Sequence, residues 1–126
     1  VPDAEAAAGR VLALETAMAE KQWDRARTRD RNATYNRMTV AQLAAATPSY
    51  RWDAHLRAAG LGAAREVVVR QPDYLRAVDA LVAATPVQTW REYMTFKLLD
   101  AYADELPAAY ANARFDFRGR TLSGLK

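Results

Sequence analysis

Apolar residues along this chain recur mostly at intervals of three and four, the spacing that lines one face of an α-helix. Ala7, Val11, Leu14 and Met18 form the first such stripe. They predict a long helix from Ala4 to about Gln22 with Asp3 at its start. Trp23 and the charged stretch Asp24 to Arg31 are expected to continue or bend it, and Asn32 to Met38 reads as a turn-like segment. Thr39-Val40-Ala41-Gln42 has capping-box spacing: the hydroxyl can accept from the third following amide while the glutamine reaches back. It opens a short helix to about Ala46. Thr47-Pro48-Ser49 stops that helix, because the residue before proline is pushed out of helical geometry. Ser49 is placed to cap Tyr50 to Ala59, and Gly60-Leu61-Gly62 ends that helix as glycine commonly does.

Val67-Val68-Val69 is the one β-like run and suits a short extended connector or a single small strand, not a sheet. Pro72 fits the first position of a helix to Ala84, with Leu75, Val78, Leu81 and Val82 inward. Thr85-Pro86-Val87-Gln88 repeats the capping-box spacing and opens a helix to about Glu105. That helix carries Val87, Trp90, Met94, Leu98, Ala101 and Tyr102 on one side. Tyr93, Phe96 and Leu99 widen its apolar surface, so burial on more than one face is expected. Pro107 restarts the chain into a last helix, Ala108 to about Phe117. The fold class predicted is all-α: a compact multi-helix domain of five to seven helices with proline-marked turns and at most one short extended segment.

Composition narrows this picture. At 126 residues the chain fits one domain. Its 51% hydrophobic content, with three Trp, six Tyr and three Phe, supports a core rather than disorder. The formal charge of +3 invites a nucleic-acid reading. The densest basic run, Arg25, Arg27, Arg29 and Arg31, is however interrupted by Asp24 and Asp30, and a phosphate-tracking stripe needs bases with few acids between them. There are no cysteines, hence no disulfides and no thiolate nucleophile or ligand. No apolar run approaches the ~20 residues that span a bilayer. Val1 to Gly9 lacks the features of a signal peptide, so a targeting segment of an exported parent is expected outside these residues.

Candidate chemistry is sparse. His55 is the only histidine, and a metal site needs three or four converging ligands. HExxH, GxSxG, P-loop and GxGxxG patterns do not occur in the sequence. Asp100, Asp104 and Glu105 could flank a cleft, but fit a solvated helix end. Asp116 lies between Phe115 and Phe117, whose expected burial makes it the more interesting acid, as a paired structural carboxylate before a catalytic one. Tyr50-Arg51-Trp52 and Phe115-Asp116-Phe117-Arg118 interleave aromatics with arginine. Stacking platforms for bases look like this, and so do core aromatics with snorkelling arginines.

Ordered local matches add to this reading. Leu12-Ala13-Leu14-Glu15-Thr16, Trp23 and Thr28-Arg29-Asp30 come first. Thr34-Tyr35-Asn36-Arg37-Met38-Thr39-Val40-Ala41-Gln42-Leu43 follows, then Trp52, then Val67-Val68-Val69-Arg70-Gln71-Pro72-Asp73-Tyr74-Leu75. Trp90-Arg91-Glu92-Tyr93 and Phe115-Asp116-Phe117-Arg118-Gly119-Arg120-Thr121-Leu122-Ser123-Gly124 complete the order. Together they resemble zinc metallopeptidases of the neprilysin and endothelin-converting-enzyme type, the last segment resembling bacterial members most. The resemblance implies that residues 1–126 are part of the helical, non-catalytic lid domain, which covers the active-site chamber and limits substrate size. It implies a zinc site of the HExxH kind in a separate catalytic domain, oligopeptide substrates, and a periplasmic or extracytoplasmic parent.

No catalytic, cofactor-binding or metal-binding residue carries over to any position here, so no cofactor is expected in this chain and zinc is expected in the missing catalytic domain. The ends suggest a fragment. Tyr35 and Met38 are expected to pack the turn into the core, and Arg29 and Asp30 to pair with neighbours. Partners implied are peptide substrates and the catalytic domain of the same polypeptide, with no nucleic acid and no membrane segment. Self-association is expected if the apolar surface is left uncovered. The competing readings are a free-standing helical protein-interaction module and a basic nucleic-acid-binding domain.

Overall fold

The computed structural model describes residues 3–125, which form seven α-helices and one antiparallel pair of short strands. In chain order these are α1 (Ala4–Ala19), α2 (Arg25–Arg29), β1 (Asn36–Thr39), α3 (Val40–Ala46), α4 (Trp52–Ala58), β2 (Glu66–Val69), α5 (Pro72–Ala84), α6 (Val87–Ala101) and α7 (Ala108–Arg114). A 3₁₀ turn, Ala103–Glu105, precedes α7, and a π-helical segment, Phe115–Leu122, follows it. The mostly helical class is the predicted one. The chain divides into two compact units: unit 1 holds residues 1–12 and 86–126, and unit 2 holds residues 13–85.

Unit 2 is built around the strand pair. Asn36 lies opposite Val69, Arg37 opposite Val68, Met38 opposite Val67 and Thr39 opposite Glu66. The segment read as a turn therefore ends in a strand, and the valine run has a partner. Asn36-Arg37-Met38-Thr39 has little β propensity of its own; pairing with three β-branched residues supplies what the local sequence lacks. Asn36 secures the register by donating from Nδ2 to the Val69 carbonyl at 3.1 Å and the Ala33 carbonyl at 2.7 Å. Arg37 and Glu66 pair across the strands, with Nε 3.0 Å from Oε2.

The helix signals of unit 2 mostly act as their chemistry dictates. Thr39 and Gln42 form the complete capping box of α3, with Thr39 Oγ1 accepting from Gln42 N at 3.1 Å and Gln42 Oε1 from Thr39 N at 2.8 Å. Helix α3 ends at Ala46, before Thr47-Pro48. Gly60 adopts φ +73°, where glycine carries no Cβ penalty, and closes α4. The Leu61 amide reaches back to the Leu56 carbonyl and the Gly60 amide to that of Arg57, the paired bonds of a Schellman motif. Pro72 is the first residue of α5.

Two expectations fail here. Trp23 to Arg31 does not extend α1; Asp24 caps a separate short helix, accepting from Arg27 N at 2.8 Å. Ser49 caps no helix, because α4 begins at Trp52 and the Ser49 amide instead donates to Asp79 Oδ1 at 3.0 Å. The core of the unit comprises Leu14, Leu43, Leu56 and Val69, with Thr47 beside them. Burying side chains of this size stabilises by about 1.5–3 kcal/mol each.

Unit 1 combines the first turns of α1 with α6, the 3₁₀ turn, α7 and the π-helical segment. Asp3 starts α1, accepting the Ala6 amide at 3.2 Å. Ala7, Val11 and Ala103 are buried, and so are the polar Thr89 and Glu92. The predicted second capping box is absent: Pro86 occupies the N-cap of α6 and no side chain caps it. Gln88 is engaged elsewhere, its Nε2 donating to Glu92 Oε1 at 3.1 Å. The two-sided burial expected for α6 is absent too, since Val87, Met94, Leu98 and Tyr102 are exposed. After α7 the chain widens into the π-helical segment. There Gly119 lies so close to Phe115 that a Cβ at this position would stand 2.7 Å from ring carbon Cδ2.

Candidate functional site

The residues with chemical potential are best followed from the histidine outward. His55 sits on α4 and is exposed. Its Nδ1 lies 2.9 Å from the Tyr50 hydroxyl, and its ring meets Trp52 edge-on with centroids 5.8 Å apart. Trp52 in turn donates from Nε1 to the buried Thr47 Oγ1 at 2.8 Å, while that hydroxyl donates to the Leu43 carbonyl at 2.8 Å. The Tyr50-Arg51-Trp52 segment thus braces the turn between α3 and α4. Neighbouring Asp53 is engaged by the Ala54 amide and by Arg57, 2.8 Å away, which hold its carboxyl below the usual range.

Three acids near the end of unit 1 pair with arginines, while Glu105 stands exposed. Arg118 pairs with Asp100, Nε to Oδ1 at 3.1 Å, and Arg114 bridges Asp100 and Asp104. Arg120 pairs with Asp116 at 2.7 Å. Asp116 is exposed, and its neighbours Phe115 and Phe117 are exposed as well, so the burial that singled it out is not there. Phe96, Leu99, Tyr110 and Phe117 line an apolar hollow of about 400 Å³, with Arg114 and Arg118 at its edge.

The most strongly held charge is one the sequence did not disclose. Glu92 accepts from Arg10 through both carboxylate oxygens, each at 2.8 Å, and its side chain is only 6% exposed. The Arg10 bonds first, and the Gln88 amide second, lower its carboxyl from 4.5 to about 2. Arg10 and Glu92 are 82 positions apart, and no spacing rule links them. Periodicity gave no signal either, since it put Glu92 on the side of α6 away from the expected apolar stripe. In unit 2, Asp30 folds a loop by accepting the Asn32 and Ala33 amides at 2.8 and 3.1 Å. Tyr35, expected in the core, is exposed, and Met38 is half-buried.

Zinc does not fit these residues. Among the described residues no three His, Cys, Asp or Glu side chains converge on one point, and the single imidazole is engaged with Tyr50. The acids that do cluster are already neutralised by guanidinium groups. Nor is any helix of the described residues long and apolar enough to cross a membrane. Many of the polar side chains named above hold turns, helix ends or ion pairs, while Trp23 Nε1 and Trp90 Nε1 are buried without a hydrogen-bond partner.

A helical scaffold with this motif order defines a class: residues 1–126 match the model of peptidase family M13, and the chain belongs to that neprilysin-type family of zinc peptidases. Among solved structures it resembles the zinc metalloprotease Zmp1 of Mycobacterium tuberculosis. To the open state of Zmp1 it is 38% identical with a TM-score of 0.88, over 95% of this chain and 19% of that one. To the inhibitor complex it is 37% identical, TM-score 0.88, over 96% and 19%. To a partial open state it is 38% identical, TM-score 0.83, over 94% and 19%. The chain therefore spans about a fifth of the length of these relatives. No curated protein matched.

Proposed function

We propose that residues 1–126 are part of the helical, non-catalytic domain that covers the active-site chamber of a zinc metalloendopeptidase and limits the size of the peptides it admits. The observation that carries this reading is the pairing of family with site. The whole chain matches an M13 model, yet no metal-ligand group forms among its described residues. Zinc, the general base and the cleavage step then belong to the rest of the polypeptide, in which a catalytic domain handles oligopeptide substrates. The relative Zmp1 has been captured in open and partially open states, which supports a covering domain that controls access.

Two measurements on the longer polypeptide and on this chain test the reading. Elemental analysis should find stoichiometric zinc in the former and none in the latter. The longer protein should cleave short fluorogenic peptides and spare folded proteins, and a double Arg118→Ala, Arg114→Ala change, which loosens the helical domain, should relax that size limit with zinc retained. Stoichiometric zinc in the 126-residue chain, or a size limit untouched by loosening, would overturn it.

A further inference from the structure

Helix α6 turns an apolar face toward solvent. Val87, Met94, Leu98 and Tyr102 are spaced by seven, four and four residues, so they stack along one side. They are 67%, 63%, 60% and 58% exposed. The opposite side carries Thr89 and Glu92, the helix's buried residues. The usual order, apolar stripe inward and polar face outward, is reversed, and a helix with large apolar residues all round is one that packs on both sides. An apolar row of this length, interrupted by one arginine, is seldom left bare on a globular protein. Arg91 lies in the same row, exposed, with no acidic partner among the described residues.

We infer that this row seats another helix of the same M13 polypeptide, one presenting apolar side chains at three- and four-residue spacing and a carboxylate opposite Arg91. The inference rests on the reading above in one respect, that a longer polypeptide carries this chain. Relatives that superpose on nearly all of it are about five times as long, since it covers 19% of their length. A second copy of the chain fits the row less well. From Val87 to Tyr102 the outward face offers no carboxylate, so pairing two such rows would desolvate Arg91 without an acid to meet it.

Methionine oxidation by hydrogen peroxide, followed by mass spectrometry on the longer protein, reads the row directly because Met94 lies in its middle. Native Met94 should oxidise at least about tenfold more slowly than in the guanidinium-unfolded protein, at every protein concentration. Leu98→Glu should return Met94 toward the unfolded rate while the half-buried Met38 keeps its protection, which shows that the variant still folds. A native Met94 rate within about twofold of the unfolded rate overturns the inference. So does protection that vanishes on dilution, which would assign the row to a second copy. Neither zinc nor cleavage enters this measurement, so the peptidase reading stands or falls separately.

Discussion

Helices α5 and α6 follow one another in the chain and differ by two residues in length, yet they use their apolar residues in opposite ways. Helix α5 turns Leu75, Val78 and Leu81 inward, each half-buried, and leaves Asp73 and Arg76 to pair with each other in solvent. Helix α6 buries Thr89 and Glu92 and shows Val87, Met94, Leu98 and, at its end, Tyr102 to solvent. The contrast extends to their units. Among the described residues, twelve large apolar side chains are exposed in unit 1 and five in unit 2, although unit 1 is the shorter. Unit 2 closes a core with its own residues, whereas unit 1 joins its parts through a half-buried ion pair and leaves much of its apolar surface open. Self-sufficiency is thus unequal within one short chain.

The sharpest way to break this comparison is to truncate matched leucines in the 126-residue chain. Leu43→Ala, at a position 3% exposed in unit 2, should cost about 2–5 kcal/mol of unfolding free energy in urea titration. Acid should separate the units next. The Glu92 carboxyl falls from 4.5 to about 2 in the folded state, so the stability it contributes is complete above pH 4.5 and is lost as the pH drops toward 2. Hydrogen exchange across that window should show α6 and the start of α1 opening before the strand pair, and Glu92→Gln should flatten the dependence. Equal acid sensitivity in both units would contradict the assignment.

Thr39→Ala should cost about 0.5–2 kcal/mol by thermal melting, since it removes half of the capping box. The smallest effect falls on the open face: Leu98→Ala in the isolated chain should stay within about 0.5 kcal/mol of the parent in the same titration. A cost close to that of Leu43→Ala would show that α6 is covered after all.

These differences also explain what could be read from the residues alone. Thr39 and Gln42, Pro48, Gly60 and Pro72 act on their own backbone neighbourhood, so local chemistry placed α3, the stop before α4, the end of α4 and the start of α5. Strand β1 was hidden because Asn36-Arg37-Met38-Thr39 becomes extended only against a partner some thirty residues away. The faces of α6 were misread for a related reason. Periodicity shows that a helix has an apolar stripe, but not whether the surface it awaits lies in the same stretch of chain. As for the candidate site, the residue types offer one histidine and no HExxH. Neither the Arg10–Glu92 pair nor the match of Arg114 and Arg118 to Asp100 could be found without tertiary structure.

The Arg10–Glu92 pair also bears on the order of events during synthesis. Unit 1 is discontinuous, with all of unit 2 inserted between its two parts. The first turns of α1 therefore leave the ribosome long before the glutamate that fixes them exists. At roughly 5–20 residues per second, the 82 positions between Arg10 and Glu92 amount to a wait of roughly 4–16 s. Unit 2 can complete its strand pair within that interval, and Arg10 stays without its carboxylate partner until α6 emerges. Unit 1 is thus the last part of the chain able to assemble, and its open face is new surface at the moment when any following polypeptide arrives to cover it.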